Sequence, residues 1–428
     1  MRSYYSVLLA GLIIISNSFI GSASNEPLPW ANPWDKGLDY EFVNQSFDAM
    51  TTLVTQGAVP GAVGLILKDG HIIARRAVGN KQTYMVRSMP GSEEIEYVPF
   101  NDKMMEHTLF DLASLTKMIA TTTSVMMLVE QGKINLDAPV VQYIPTFGGR
   151  AKDKVTVRNL MTHTSGLQAW YPFYKHYIDR EDYFRAIDED FALIYPPGEK
   201  RIYSDIGFIM LGRIVETVSG KRLNHFTHEN IFEPLGMLDT GFLPRMQERL
   251  KAASTEFDPM RKNILKGIVH DENSRIMGGV SGHAGLFSTA TDLAVFSQML
   301  LDGGIFNGKR ILKAETIKLM LTPQLKNKSV IKGSGFLRYR RQLLGWWGMD
   351  DEMLISGIGG LPSKTAFGHT GFTGTALTID PEHKMAAILL SNAVHPKRED
   401  KESSALRKAF FGNVSKALVG EANVNLAE

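Results

Sequence analysis

The stretch Leu109-Phe110-Asp111-Leu112-Ala113-Ser114-Leu115-Thr116-Lys117 decides both the fold and the chemistry predicted for this chain. Its last four residues form an S-x-x-K pattern that opens an apolar segment, and helical spacing continues over residues 121–131. Positions i and i+3 of a helix share a face, so the amine of Lys117 is expected to lie over the hydroxyl of Ser114. Because a serine hydroxyl is a weak nucleophile and a desolvated lysine amine is a suitable base, the pair predicts nucleophilic catalysis. The alternative is that Ser114 only caps the helix, although a capping box would place Glu or Gln at position 117.

The same four-residue pattern occurs a second time, from Ser329 to Lys332. This copy follows Lys326-Asn327-Lys328 in a polar stretch, where we expect a loop. S-x-x-K is therefore a weak signal by itself, and the surrounding sequence favours Ser114.

Strand patterns lie toward both ends of the chain, with helical patterns between them. Residues 62–68 and 71–78 predict a hairpin around Asp69-Gly70, and residues 375–379 and 385–392 predict two later strands. Helices are expected over residues 155–161, 205–220, 289–301 and 406–418. The predicted fold class is α+β: an antiparallel sheet flanked by helices, assembled from both termini, with an inserted all-helical region. We place the two parts of the α/β region at residues 39–112 and 310–428 and the helical region at 113–309.

The N-terminus has the pattern of an export signal. Arg2 precedes an apolar run at residues 7–15, and Gly21-Ser22-Ala23 supplies the small residues of a cleavage site. We therefore predict a signal peptide over residues 1–23 and a leader over 24–38, which would place a bacterial protein in the periplasm or outside the cell. The apolar run is too short to span a bilayer comfortably, so an uncleaved membrane anchor is the less favoured alternative.

Composition excludes several classes of protein. The 428 residues contain 47 Lys and Arg against 45 Asp and Glu, a formal net charge of +2, so the strongly basic face that binds nucleic acid is not indicated. The absence of cysteine excludes disulfides, thiolate zinc sites and a cysteine nucleophile. No G-x-S-x-G, phosphate-loop or H-E-x-x-H pattern occurs, and we predict neither a metal nor an organic cofactor.

Two further motifs strengthen the S-x-x-K signal. Tyr203-Ser204-Asp205 begins the helix expected at 205–220, and His369-Thr370-Gly371 precedes the strand expected at 375. Together with the Ser114 motif, and in this order, they resemble the motifs of the serine β-lactamase and penicillin-binding protein superfamily. The resemblance covers residues from about 40 to about 415. It is strongest to the branch that holds class C β-lactamases, D-alanyl-D-alanine carboxypeptidases and β-lactamase-fold esterases.

The resemblance implies a role for each motif residue. Ser114 would be the acylated nucleophile, while Lys117 and Tyr203 would share general-base and general-acid work. The backbone N–H groups of Ser114 and Phe372 would form an oxyanion hole, because Phe372 follows the third motif directly. The substrate-binding positions that the resemblance implies are Asp205, His369, Thr370, Gly371 and Phe372.

Two motif residues depart from the common pattern of the superfamily. The third motif often begins with Lys, whereas His369 is mostly neutral at pH 7, which weakens the fixed charge available to a substrate carboxylate. His369 and Thr370 are still expected to line the wall that receives a carboxylate or a carbonyl. The second motif often ends in Asn, whereas Asp205 would favour the ammonium form of Lys117 if it faced that amine. Tyr203 would then carry more of the proton transfer, and efficient β-lactam hydrolysis is not indicated.

Two later segments narrow the resemblance: Val269-His270-Asp271-Glu272-Asn273 and residues 278–288. They are similar to low-molecular-mass penicillin-binding proteins described as D-alanyl-D-alanine carboxypeptidases. They are also similar to domains associated with muropeptide recycling, including N-acetylmuramyl-L-alanine amidases. Residues 278–285 would form either a tight buried loop or a substrate contact, and the sequence leaves both open. The aromatic residues from Trp170 to Tyr183 are expected to pack in the helical region rather than to form a substrate lid.

The predicted activity is that of an exported serine hydrolase with an acyl-enzyme on Ser114. It would act as a D-alanyl-D-alanine carboxypeptidase or a β-lactamase-like enzyme on peptidoglycan-derived amides. A carboxylesterase or an N-acetylmuramyl-L-alanine amidase is the enzymatic alternative. A penicillin- or peptidoglycan-binding protein without turnover is the other alternative, although such a protein would be expected to lose part of the Ser114, Lys117 and Tyr203 set.

The expected partner is a small molecule or a peptidoglycan fragment. We expect no nucleic acid and no stable membrane span after signal cleavage. The sequence gives no oligomeric state, and a monomer is the default expectation.

Overall fold

Strands from the two ends of the chain meet in one sheet. The computed structural model describes residues 26–88, 95–325, 342–348, 360–400 and 402–419. In chain order the strands are β1 (Gly61–Lys68), β2 (His71–Ser88), β3 (Ile95–Lys103), β4 (Phe110–Asp111), β5 (Gly241–Phe242), β6 (Ser254–Asp258), β7 (Asn263–Lys266), β8 (Leu286–Ser288), β9 (Ile305–Phe306), β10 (Lys309–Arg310), β11 (Trp347–Gly348), β12 (Phe367–Thr370), β13 (Ala376–Asp380) and β14 (Met385–Ser391). The α-helices are α1 (Tyr40–Thr55), α2 (Thr123–Glu130), α3 (Val157–Met161), α4 (Arg180–Glu189), α5 (Asp205–Ser219), α6 (Leu223–Thr227), α7 (Glu233–Leu235), α8 (Met246–Lys251), α9 (Glu272–Ile276), α10 (Ala290–Leu301), α11 (Ala314–Met320) and α12 (Ser403–Val419).

The largest sheet has seven strands in the order β11-β12-β13-β14-β1-β2-β3, and all of its neighbouring pairs are antiparallel. Strand β1 joins the two ends of the chain within this sheet. On one side Lys68 pairs with His71 across the predicted turn, and on the other Ala62 pairs with Ser391 of β14. The predicted antiparallel sheet built from both termini is confirmed.

Helices cover both faces of this sheet. In β1, Val63 and Leu65 belong to the larger apolar core, whereas Ala62 and Ile66 belong to a second core shared with α1 and α12. This alternation follows from the two-residue period of a strand. Helix α10 packs against β1 and β14. Because both faces are buried, β1 and β14 are continuous apolar runs in the sequence.

The prediction that the inserted region is all helical is wrong in detail. A three-stranded sheet in the order β4-β8-β5 and the β6-β7 hairpin lie within or at the edge of residues 113–309. Strands β4, β5 and β8 have only two or three residues, which is too short to show a strand period, and they pair with segments far away in the chain. Helix α10 falls inside the same range but packs on the large sheet. The domain boundaries themselves stay predictions.

The longer predicted helices agree with the structure. Helix α5 begins at Asp205 and ends before Gly220, which adopts a left-handed conformation with φ 70°. Helix α10 begins after Thr289, whose side chain accepts from a backbone N–H in the first turn. The predicted signal peptide and the second S-x-x-K copy lie outside the described residues. In the part of the chain that is described, no helix is long and apolar enough to cross a membrane.

Gly64 of β1 lies beneath two aromatic rings from opposite ends of the chain. Phe47 of α1 and Phe410 of α12 meet edge to face, with ring centroids 5.5 Å apart. A Cβ at Gly64 would stand 2.8 Å from the Phe410 ring and 3.0 Å from the Phe47 ring. The missing side chain therefore lets the N-terminal and C-terminal helices pack together on the sheet.

We expect Gly64→Ala to destabilise the protein by about 1–3 kcal/mol, because an extra methyl in a filled core pushes side chains off their rotamers. Gly412→Ala is the matched control: Gly412 lies in α12, and an added Cβ would meet nothing within 4 Å. That change should stabilise the helix by up to about 1 kcal/mol. Thermal and urea unfolding measure both variants, and equal stabilities would contradict the packing assigned to Gly64.

Candidate active site

Ser114 stands at the end of a tight turn between β4 and a helix. Ala113, directly before it, has a φ of 47°, a conformation that non-glycine residues rarely adopt. The Asp111 carboxylate holds this turn, because it accepts the N–H of Ala113 at 2.9 Å and that of His270 at 2.6 Å. Wide π-helical turns over Lys117–Thr122 then lead into α2. A strained turn stabilised from outside is a common way to present a reactive side chain.

Lys117 is fully buried, and its ammonium contacts three oxygens. Nζ lies 3.0 Å from Ser114 Oγ, 3.0 Å from the carbonyl oxygen of His283 and 2.7 Å from Asp205 Oδ1. The first two contacts are hydrogen bonds that the ammonium donates, and the third is an ion pair. Burial works against the charge, but the Asp205 carboxylate outweighs it, and the pKa of Lys117 is raised to about 12. Lys117 is therefore an ammonium at neutral pH, as the sequence predicted for the case in which Asp205 faces it.

Tyr203 lies on the other side of Lys117. Its ring centroid is 5.0 Å from Lys117 Nζ. Burial raises the pKa of Tyr203, so the phenol holds its proton at neutral pH. The structure brings Ser114, Lys117, Tyr203 and Asp205 together, while their catalytic roles stay predictions.

The second motif is held in place by His163. Ser204 caps α5 through its side chain, and its backbone N–H donates to His163 Nδ1 at 3.0 Å. The His163 ring also packs on the Tyr203 ring, with centroids 4.5 Å apart. Because Asp205 is the first residue of α5, this cap places its carboxylate beside Lys117.

His369, the first residue of the third motif, is 1% exposed. Its Nδ1 lies 2.7 Å from the Thr370 carbonyl oxygen, and its ring centroid is 3.8 Å from that of Trp347. Burial, with a further contribution from the Lys117 charge, lowers the pKa of His369 well below 6.5. His369 is therefore neutral at pH 7, as expected from the sequence, and burial favours this neutral form further. His369 and the half-buried Thr370 are not among the residues that line the cavity beside Ser114, and their substrate-binding roles stay predictions.

The turn after the third motif is fastened to the Ser114 turn. Thr373 and Thr375 donate their hydroxyls to the carbonyl oxygens of Asp111 at 2.7 Å and Leu112 at 3.1 Å. Gly371 fits here because a Cβ would stand 2.4 Å from the Leu112 carbonyl oxygen. These contacts bring Phe372, which is 47% exposed, to the wall of the cavity beside Ser114.

A cavity of about 320 Å³ opens over Ser114. Of the predicted site residues, Ser114, Tyr203, Asp205 and Phe372 line it. Lining residues that sequence reasoning did not assign to the site are Ala113, Trp170, His270, Asp271, Glu272, His283, Ala284 and Arg398. The segments 269–273 and 278–285 carried a signal in the family resemblance, but no spacing in the sequence pointed to Trp170 or Arg398.

A chain of ionic contacts forms the outer wall of this cavity. Glu256 Oε2 lies 2.9 Å from His270 Nε2 and 2.6 Å from Arg398 Nη2, and Arg398 also pairs with Glu272. Burial disfavours the Glu256 charge, but hydrogen bonds from His270 and Arg398 outweigh it and lower the pKa of Glu256 to about 2. The His270 ring stacks on Phe372 with centroids 5.7 Å apart. This wall of the cavity is thus polar and cross-linked by several contacts.

The aromatic cluster after residue 169 divides between core and cavity. Phe173 and Tyr183 are fully buried and stacked, with centroids 4.9 Å apart, in agreement with the packing predicted for them. Trp170 is 46% exposed and lines the cavity. Among the described residues, no group of three or more acidic or histidine side chains is arranged to hold a metal ion.

Comparison with known proteins gives matches over most of the chain. The family model described as Beta-lactamase matches residues 47–410. An N-acetylmuramyl-L-alanine amidase of Bacillus subtilis (strain 168) is 34% identical over 371 residues, covering 81% of this chain and 80% of the relative. A protein of Escherichia coli (strain K12) named "Putative D-alanyl-D-alanine carboxypeptidase" is 32% identical over 425 residues, covering 93% of each chain.

Solved structures show the same fold at low sequence identity. A penicillin-binding protein homologue from Caulobacter crescentus superposes with a TM-score of 0.64 at 20% identity, covering 88% of this chain and 98% of that one. A class C β-lactamase from Rhodobacter sphaeroides gives a TM-score of 0.63 at 18% identity, covering 88% and 99%. At these identities the likeness concerns the fold alone.

We expect Asp205→Asn to lower the pKa of Lys117, because the opposing charge is removed while burial remains. The titration of Lys117 can be followed by NMR in protein labelled at the lysine side chains, with Lys117→Arg used to assign the signal. Asp102→Asn is the matched control, since Asp102 pairs with Lys81 at 3.2 Å and Lys266 at 2.8 Å elsewhere in the fold. An unchanged Lys117 titration in Asp205→Asn would show that Asp205 does not set its charge.

Proposed function

The chain belongs to the Beta-lactamase family, and from that premise we propose that it is an exported serine hydrolase that cleaves peptidoglycan-derived amides through an acyl-enzyme on Ser114. The observation that carries the proposal is the contact between Ser114 Oγ and Lys117 Nζ at 3.0 Å beneath a cavity that Tyr203 also lines. The proposal of export rests on the pattern of residues 1–23.

The protonation states of the site favour Tyr203 as the group that moves protons during acylation. Ser114 Oγ attacks the carbonyl carbon of the substrate amide, and its proton passes to the Tyr203 oxygen. The phenol proton of Tyr203 passes to the nitrogen of the leaving amine, so the net transfer runs from Ser114 to the amine. Lys117 keeps its proton throughout and stabilises the negative charge that develops on the serine and tyrosine oxygens.

Deacylation reverses the direction of proton transfer. A water molecule attacks the ester carbonyl, and its proton passes through Tyr203 to the departing Ser114 oxygen. The carboxylic acid leaves, and Ser114 regains its hydroxyl. In both steps the backbone N–H groups of Ser114 and Phe372 would donate to the oxyanion, a role supported by the threonine contacts that hold the Phe372 turn against the Ser114 turn.

The third motif bears on which amide is cleaved. A carboxylate-terminated substrate such as a D-alanyl-D-alanine peptide or a β-lactam would gain from a permanent cation at this position, whereas His369 is buried and neutral. The bond between N-acetylmuramic acid and L-alanine does not require that cation. We therefore favour amidase action on muramyl-L-alanine amides, in line with the 34% identical relative that bears this name.

A D-alanyl-D-alanine carboxypeptidase is the second candidate. It is supported by the 32% identical relative that is named for this activity and is matched over 93% of this chain. Arg398, which lines the cavity, is the guanidinium that a substrate carboxylate would approach, although it already pairs with Glu256 and Glu272.

We expect an acyl adduct on Ser114 when the protein is mixed with an activated ester or a labelled penicillin. Ser114→Ala should remove the adduct and lower turnover by about a thousandfold or more, because no other group replaces the nucleophile. Ser329→Ala, in the second S-x-x-K copy, is the matched control and should leave both unchanged. Intact-mass spectrometry and peptide mapping make the measurement; an adduct that persists in Ser114→Ala would refute the assignment.

A substrate panel separates the two candidate activities and the remaining alternatives. Turnover is compared for an N-acetylmuramyl-L-alanyl peptide, a D-alanyl-D-alanine peptide, a cephalosporin and a short-chain aryl ester. We expect the muramyl amide to give the highest kcat/KM, because the neutral His369 offers no positive charge to attract the carboxylate of the D-alanyl peptide or the cephalosporin. Preference for the D-alanyl peptide would establish the carboxypeptidase instead, and one equivalent of product without turnover would establish a binding protein.

A further inference from the structure

The segment 278–288, which has no assigned role, lies against the Ser114 turn and the helix that follows it. Leu286, in the segment 278–288, accepts the N–H of Leu112 at 2.9 Å and donates its own N–H to Thr116 Oγ1 at 3.1 Å. The Thr121 hydroxyl donates to the Gly282 carbonyl oxygen at 2.7 Å. The segment therefore runs alongside the helix that carries Ser114 and Lys117, and it is fixed to that helix at several points.

Gly282 shows how little room this segment has. A Cβ at this position would stand 2.0 Å from the Phe208 carbonyl oxygen and 3.0 Å from Gly212 Cα, both in α5. The segment thus packs closely between α5 and the Ser114 helix. The next residue, His283, lines the cavity.

His283 contacts Lys117 through its backbone and Asp271 through its ring. Its carbonyl oxygen accepts from Lys117 Nζ at 3.0 Å. Its Nε2 lies 2.8 Å from Asp271 Oδ1, and its Nδ1 lies 2.8 Å from Ser281 Oγ. The His283 side chain is 1% exposed, and both of its ring nitrogens are paired within the protein, which restrains the ring. Asp271 is held in turn, because it caps α9 by accepting the Ser274 N–H at 2.7 Å.

We propose that Asp271 and His283 are positioning residues for Lys117, and that their side-chain pair fixes the His283 carbonyl which holds the ammonium over Ser114. The proposal rests on the function proposed above. The Asp205 carboxylate attracts the ammonium toward α5. The His283 carbonyl oxygen accepts a hydrogen bond from it on the side of the segment 278–288. Without a fixed His283 carbonyl, Nζ would follow Asp205, and its contact with Ser114 would lengthen.

The charge of Asp271 adds to this geometric role. Burial favours the neutral acid, but the close contact with the His283 ring and the hydrogen bonds from His283 and Ser274 hold the pKa of Asp271 below its usual range. Asp271 is therefore ionised at neutral pH, and its charge interacts with that of Lys117. The titratable groups around Lys117 are Tyr203, Asp205, Asp271, His163, His283 and His369.

The test is the rate constant for acylation of Ser114 by an activated ester, measured separately from ester binding by stopped flow. Asp271→Ala and His283→Ala should each lower this rate constant by about 10–100-fold with little change in binding, because a displacement of about 1 Å is costly. The double variant should be no slower than the slower single variant, since the two side chains act as one unit. Asp271→Asn and His283→Gln keep a hydrogen-bonding group at each position, and each should recover part of the rate.

The matched control for Asp271 is Asp179→Ala. Asp179 also caps a helix, α4, through a bond from the backbone N–H three residues later, at 2.9 Å. This variant should acylate at the wild-type rate. Thermal unfolding of all variants shows whether a slow variant is folded.

A readout that does not depend on activity is the Lys117 titration by NMR. Removal of the Asp271 charge should lower the pKa of Lys117, by about half a unit or more. If Asp271→Ala acylates with the same rate constant as the wild type and its Lys117 titration is also unchanged, the positioning role is overturned. Weaker binding with an unchanged acylation rate constant would also overturn it, since Asp271 would then contact the substrate. Absence of any adduct in the wild type would instead refute the proposed function, and the Lys117 titration would still decide the positioning role.

Discussion

A buried lysine ammonium is the constraint on which the arrangement of this protein depends. Burying an unpaired charge is costly, so Lys117 needs polar partners around its ammonium. The partners are Ser114, the first residue of α5, and the loop that ends at β8, which are far apart in the chain. The fold must therefore hold all three segments in fixed positions. The capped start of α5 and the glycine contact at residue 282 are the means by which the fold achieves this.

The second constraint is the seam between the sheet and the inserted region. Strand β4 leads into the Ser114 turn, and the β12–β13 turn is tied to it by two threonine hydroxyls. The site thus lies where the large sheet meets the helices of the inserted region. This position explains why the three motifs are separated in sequence, since one belongs to the Ser114 helix, one to the start of α5 and one to the sheet.

Helical spacing and the turn and strand patterns of the sequence were sufficient to predict part of the site and of the large sheet. The i,i+3 relation predicted the contact between Ser114 and Lys117, and turn and strand patterns predicted β1, β2, β13 and β14. They failed for β4, β5 and β8, because two or three residues cannot show a period. They also missed Arg398, and the packing predicted for Trp170 is wrong, because this half-exposed side chain lines the cavity.

The sequence by itself indicated the Ser114–Lys117 pair from helical spacing, the Tyr203 and His369 motifs from a family resemblance, and the sheet made from both termini from strand patterns. Spacing, motifs and strand patterns are properties of the sequence, and they can be read without the fold. Only the tertiary structure decided the charge of Lys117, the burial of His369 and the walls of the cavity. Those properties depend on desolvation and on charges brought together from distant segments, such as Asp205 beside Lys117 and Asp271 beside His283.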